Sequence, residues 1–361
     1  MGQSEKSRVS LLSWLKPQRQ TKLSLNVSEL AARITSHAMS TTEFGQIDDP
    51  LEAVLFPFSH QATVRLAQTG RRLAHYTSAE VAFSIIKNRE VWMRNAQTMN
   101  DYSEIAHGRA CLEAAAERGF LPKLGQAVDA IVPGTFKRAL EMFDGWSAAL
   151  QHNTFLTCVS EHLGAEDDED SLGRLSMWRA YGGENGVALI LNPSFLDNAD
   201  MGSVVTSPVH YANSDKFCEE VARVTANIEA AAERLAPLAD MLADNIFNVM
   251  RYALLCTKHP GFREEREWRV IYTPHIEASP YVTEDMAVVR GVPQVIQKIK
   301  LINDPENGIK GIAPDDLIEA ILIGPTQFPM TFIETFHKLL REAGVARPQD
   351  RIRVSNIPLR R

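Results

Sequence analysis

The sequence predicts an α+β fold, because short runs rich in β-branched and aromatic residues are separated by helical stretches much longer than themselves. Neither G-x-G-x-x-G nor G-x-x-x-x-G-K-[ST] occurs, so nothing points to the doubly wound nucleotide-binding sheet that those loops serve. At 361 residues, with 45% hydrophobic and 23% charged, the chain can bury one large core or two ordinary ones.

Composition narrows the function classes. A net charge of −7 lacks the positive field that general binding to nucleic acid or to an anionic membrane needs, although a local basic groove stays open. Cys111, Cys158, Cys218 and Cys256 are widely scattered, with no C-x-x-C and no Cys/His cluster. Neither a disulfide framework nor a metal site is expected, and a reducing cytoplasm fits best. No run of 18 or more apolar residues suggests a membrane span. The N-terminal charges are not followed by the continuous apolar stretch of a secretory leader, and Lys6 stands where a myristoylation signal wants Ser or Thr.

Residues 1–70 read as an N-terminal extension, partly flexible or helical. Its first 46 residues are rich in Ser and Thr, and Asp48-Asp49-Pro50 closes it with turn residues. Within it, Leu11-Leu12-Ser13-Trp14-Leu15 is an apolar patch suited to docking on the protein's own body or on a partner. A helix is expected around residues 61–68. Residues 72–78 form a strand that delivers His75 and Tyr76 to its end, and Thr77 or Ser78 caps a helix with Val81, Ile85 and Ile86 at helical spacing. That helix stops near Asn88, residues 90–93 are a strand, Met99-Asn100-Asp101 is a turn, and a helix runs from Ser103 to about Gly119.

Two helical stretches between residues 127 and 150 divide at Pro133-Gly134. Residues 154–159 alternate as a strand with Ser160 at the exit. The five consecutive acids Glu166-Asp167-Asp168-Glu169-Asp170 are expected to be a solvated loop, since consecutive acids do not converge on one ion without a turn to aim them. A helical turn from Leu175 ends on Gly182-Gly183, and its Trp178 and Tyr181, three apart, share a face as core or as the wall of an aromatic slot. Strands follow at residues 187–191 and 203–211, then a long helical region at 215–255 interrupted at Pro237. Residues 295–299 and 318–323 are strands, 331–343 a helix and 351–354 a last short strand.

The chain is organised around residues 258–272. Pro260-Gly261 is a turn, a dense charge cluster follows, and Trp268-Arg269-Val270-Ile271-Tyr272 suits a strand. If the strand begins at Glu265, side chains two apart share a face, so Glu265, Glu267 and Arg269 point one way and Trp268, Val270 and Tyr272 form the core face. Such a cluster serves a cleft or is an ordinary edge strand with cross-paired charges.

His75-Tyr76-Thr77-Ser78, Met99-Asn100-Asp101 with Glu104, Met177-Trp178 with Tyr181-Gly182, Glu265-Arg266-Glu267-Trp268-Arg269 and Ser355-Asn356-Ile357-Pro358-Leu359-Arg360, taken together and in this order, resemble a bacterial family of unknown function. The resemblance covers residues 71–361, with a helical insertion at about 213–257, and implies a relationship to the ADP-ribosyltransferase fold, a split β-sandwich of two small sheets. By that resemblance His75 is similar to the early-strand residue of the superfamily, Tyr181 or Ser160 to the middle position, and Glu267 to the catalytic acid. Glu265 is similar to the leading acid of an E-x-E pair. An Arg usually accompanies that pair where this chain has His75, so the acceptor is left open.

The implied substrate is NAD and the acceptor a protein or nucleic acid, with hydrolysis of NAD as the variant outcome. Toxin and phage-defence roles are frequent among such enzymes. Cleaving nicotinamide from ribose develops oxocarbenium charge, which a fixed carboxylate at Glu267 would stabilise through the ribose 2′-hydroxyl. His75 would hold the ribose, backbone groups near Tyr76 the carboxamide, Tyr181 the nicotinamide ring, and Glu265 would take the acceptor's proton. Thr77, Asn100, Ser160, Trp178 and Arg269 complete the implied pocket. The alternatives are a non-catalytic nucleotide- or nucleic-acid-binding module of the same fold and a scaffold protein. The enzymatic reading requires His75 and Glu267 to meet across one pocket.

Overall fold

The computed structural model describes residues 51–99, 104–164, 167–198, 201 and 204–358. The Leu11–Leu15 patch, Asn100, Glu166 and Arg360 lie outside them.

Helices α1 (Leu51–Leu55) and α2 (Pro57–Gln68) lead into β1 (Arg72–Ser78), α3 (Ala79–Asn88) and β2 (Glu90–Asn95). Ser78 does cap α3, accepting from the Val81 N–H at 3.3 Å. Three helices follow, α4 (Glu104–Glu117), α5 (Phe120–Ile131) and α6 (Thr135–His152), with Gly134 left-handed at the break between the last two. Then come β3 (Phe155–His162), α7 (Glu169–Leu172), α8 (Leu175–Tyr181) and β4 (Gly186–Leu191). Pro208, which has no N–H to donate, ends β5 (Val205–Pro208) before β6 (His210–Tyr211). The long helical region is α9 (Ser214–Ala230), α10 (Ala232–Leu235) and α11 (Ala239–Cys256), broken around Pro237 as expected. The chain closes with β7 (Thr257–Lys258), β8 (Glu267–Tyr272), β9 (Val282–Val289), β10 (Val292–Lys300), α12 (Pro314–Leu317), β11 (Ile318–Ile323), α13 (Pro329–Glu342) and β12 (Ile352–Val354).

The architecture is α+β. A mostly antiparallel sheet runs β12-β11-β4-β1-β3-β2-β10-β9, with β8 on β3 and β5 on β8. Among the described residues, only β12 joins that sheet in parallel, against β11. Strand β3 is the branch point. One of its edges carries β8 from Phe155 to Ser160. The other pairs with β1 only at Ser160–His162 and with β2 only at Phe155 and Leu156. The sheet therefore parts beside Thr157, Cys158 and Val159.

Helices cover both faces. On one, α2, α3 and α13 pack Leu66, Ile86 and Leu340 against Leu73, Val159 and Trp268. On the other, α4, α5, α6, α9 and α11 share a single core with Leu156 and Ile271. The helical layer thus draws on residues 104–152 as well as on the expected insertion at 213–257. Among the described residues, no helix is long and apolar enough to cross a membrane.

Candidate functional site

Strand β8 starts at Glu267, two residues later than the sequence pattern suggests, because Pro260–Glu265 is a 3-10 turn and Arg266 has a left-handed φ of 45°. Glu265 and Glu267 are therefore not brought together by strand alternation. Lys258 does it: its Nζ donates to Glu265 Oε2 at 2.6 Å and to Glu267 Oε2 at 3.0 Å. This places Lys258 of β7, just after α11, over the opening of β8, with its ammonium 4.8 Å from the centre of the Phe262 ring. Helix α11 also supplies the Leu255 carbonyl that accepts from Arg269.

Glu267 is only 7% exposed, Lys258 3% and Arg269 1%. Its second oxygen, Oε1, accepts from Arg269 Nε at 2.8 Å, so both carboxylate oxygens are ion-paired. The backbone N–H of Glu267 donates to the Tyr211 hydroxyl at 2.8 Å. Burial alone would push the Glu267 carboxyl up, but the Arg269 and Lys258 cations overcome it and hold the group down at about 2. Removing one partner from such a cluster strands a buried charge, which makes it strongly destabilising.

Glu265 is the more open acid, its side chain 17% exposed. Tyr181 donates to its Oε1 at 2.9 Å. Burial and the Glu265 charge raise the Tyr181 phenol well above its ordinary range, so it serves as a fixed hydrogen-bond donor. The Ser160 hydroxyl donates to the Glu265 carbonyl and accepts from Arg174 Nη1 at 2.8 Å. Arg174 further reaches the Glu264 carbonyl at 2.7 Å and the Glu169 carboxylate at 2.7 Å, tying α7 and α8 to the start of β8.

Ser160, Tyr181, Glu265, Glu267 and Arg269 are therefore assembled in one cluster. Tyr76 and Trp178 lie in the core next to it, 4.9 Å apart in an edge-to-face pair, and Trp178 is fully buried. Of the two readings left open for Trp178, core holds. Register sets the position of His75. Ala74 opposes Ser160 and Ser160 opposes Glu267, so these three share a face. His75 and Thr77, one residue out of step with Ala74, point to the other face with Val159 and Trp268. The expected meeting of His75 and Glu267 across one pocket does not occur. His75 instead sets its Nδ1 2.9 Å from the Cys158 carbonyl, where β3 is unpaired on that edge.

Within the acid run, Asp167 and Asp168 are exposed as expected, but its last two residues depart from the expectation. Glu169 and Asp170 sit in α7 with side chains only 9% and 15% exposed, paired to Arg174 and to Arg72 and Arg353. They anchor a helix rather than a solvated loop. Lys258, Arg174 and Tyr211 are the residues that pattern reading overlooked. No spacing rule links them to Glu265 or Glu267, because each comes from a different element. Among the described residues, no group of three or more His, Cys, Asp or Glu side chains could hold a metal ion.

Residues 177–270 match a family described as a protein of unknown function (DUF2971), which fits an uncharacterised domain family for this part of the chain. The match takes in Tyr181, Glu265, Glu267 and Arg269. No curated protein and no solved structure matches the chain.

Proposed function

We propose that this chain is a non-catalytic binding protein built on an ADP-ribosyltransferase-like sheet, working by capture of a ligand rather than by cleavage of NAD. The parting of the sheet at β3 supports the relationship to a split β-sandwich. The observation that carries the reading is the state of Glu267, which is buried with one oxygen on Arg269 and the other on Lys258. A carboxylate so engaged cannot reach a ribose 2′-hydroxyl without first breaking two buried ion pairs, and His75 is on the opposite face.

Incubating the full chain with NAD and measuring free nicotinamide by chromatography tests it. The expected result is no release above a protein-free control. Glu267→Gln should change stability, lowering the unfolding free energy by about 3 kcal/mol, since Lys258 and Arg269 lose their shared counter-charge. Release of nicotinamide by the parent chain, lost in a well-folded Glu267→Gln variant, overturns the reading.

One arrangement favours a second reading, in which the chain consumes NAD. Glu265 is partly open and oriented by the Tyr181 hydroxyl and by Lys258. In that reading Glu265 acts on the acceptor or on water. That reading expects nicotinamide release that Glu265→Gln abolishes. Labelled NAD in a whole-cell lysate, digested separately with protease and nuclease, would then sort a protein acceptor from a nucleic-acid one, and release without label transfer would indicate hydrolysis.

A further inference from the structure

A cavity of about 1040 Å³ runs along the β5 edge, between the His75 face of the sheet and the helices. Its floor on that face is His75, Thr157, Val159, Leu189, Trp268 and Val270, with His60 and Thr63 of α2 also in the lining, and it continues past the β5 edge to Val249 and Met250 of α11, which pack on the other face. Protein interiors leave few voids larger than a water molecule, and this volume is at the upper end of the ~300–1,000 Å³ that small-molecule sites occupy.

The charge of the lining selects the occupant. Among the described residues that line the cavity there is no Lys or Arg. It has two carboxylates, Glu52 and Glu220, and Glu220 is committed to Arg223 at 2.6 Å and to the Phe58 N–H at 3.2 Å. An anionic dinucleotide would lose its hydration there and gain no counter-charge, which is prohibitive. An apolar, uncharged body loses nothing and gains the hydrophobic term.

His75 supplies a polar anchor. With Nδ1 against the Cys158 carbonyl, the ring proton belongs on Nδ1, and Nε2 is an acceptor with no hydrogen-bond partner among the described residues. Burial lowers the imidazole pKa, so the ring is neutral at pH 7. A neutral acceptor in an apolar cavity calls for a single donor.

We propose that this cavity binds an uncharged, lipid-like small molecule whose apolar body lies on the sheet floor and whose hydroxyl or amide N–H donates to His75 Nε2. The inference deepens the binding reading above but concerns the other face of the sheet. Nicotinamide release tests that reading, and the experiment here tests the cavity.

The experiment titrates the full chain with the neutral apolar dye Nile red, then displaces the dye with 1-dodecanol. Saturable dye binding is expected. Thr157→Phe and Val270→Phe both fill the cavity from the floor, so each should weaken dye binding at least tenfold while circular dichroism shows the fold retained; either variant alone suffices if the other misfolds. His75→Leu should leave dye binding within about twofold but weaken displacement by 1-dodecanol about tenfold, the loss of one buried hydrogen bond. NAD should not displace the dye. Unchanged dye affinity in the well-folded filled variants overturns the proposal, as does displacement by NAD. Absence of binding by the full chain also overturns it, and a gain of binding in Trp14→Asp would then identify the chain's own Leu11–Leu15 patch as the occupant.

Discussion

At the scale of single residues, His162 is the most exposed to pH in its consequences and the least exposed to solvent. It is fully buried, and neither ring nitrogen has a hydrogen-bond partner among the described residues. Burial and the Arg72 charge lower its pKa to about 4, although Glu169 at 3.8 Å and Asp170 at 3.7 Å pull the other way. The folded chain therefore keeps this ring neutral, while the unfolded chain takes up a proton near pH 6.5. Below that value the unfolded state binds more protons, so the stability contribution is whole above about pH 6.5 and falls as pH drops toward 4, by roughly 3 kcal/mol. Denaturant unfolding at pH 7.5 and pH 5 should show about 2 kcal/mol of that loss, and His162→Leu should shrink the difference between the two. Glu267, depressed in the folded state, behaves as a paired carboxylate: its contribution is present above about pH 4.5 and lost as pH falls toward 2. None of this was legible in the sequence, where His162 lies beyond the strand expected at residues 154–159.

At the scale of elements, close approach is set by glycines whose role no local pattern reveals. A Cβ on Gly108 of α4 would fall within contact distance of the Leu254 backbone carbonyl of α11. The two helices meet backbone to backbone at that point, so Gly108→Ala must push them apart and should cost roughly 3 kcal/mol in thermal or denaturant unfolding. Around Trp178 the same device recurs. A Cβ on Gly324, just after β11, would lie 2.9 Å from both the Gly186 carbonyl and the indole ring. Gly324→Ala should therefore destabilise by about 1–3 kcal/mol, with a changed Trp fluorescence spectrum as the second readout. Strands β1 and β11 were readable to the residue, the latter from its apolar run. Strand β9 was not, because its Glu284, Asp285, Met286 and Val288 are exposed and give no buried face to impose alternation.

At the scale of the whole molecule, the helical layer is a joint product of two distant segments. Ile228, Ile246 and Leu254 from α9 and α11 share one core with Leu112, Val128 and Phe143 from α4, α5 and α6. Replacing residues 214–256 with a short Gly/Ser linker should therefore give insoluble protein, since it uncovers that apolar face and removes the Leu255 carbonyl from Arg269; soluble yield measures it. The sequence by itself determined the α+β class and the position and type of most elements, because hydrophobic period and turn chemistry are local signals. It also named Ser160, Tyr181, Glu265, Glu267 and Arg269, which do gather in space. What only the tertiary structure decided was which face each side chain takes and who its partner is. Register between β1, β3 and β8 put His75 and Glu267 on opposite sides of the sheet, and Lys258, arriving just after the end of α11, neutralised the acids. Face and partner depend on pairing between strands far apart in the chain, where a shift of one residue reverses the outcome, and no local spacing encodes that pairing.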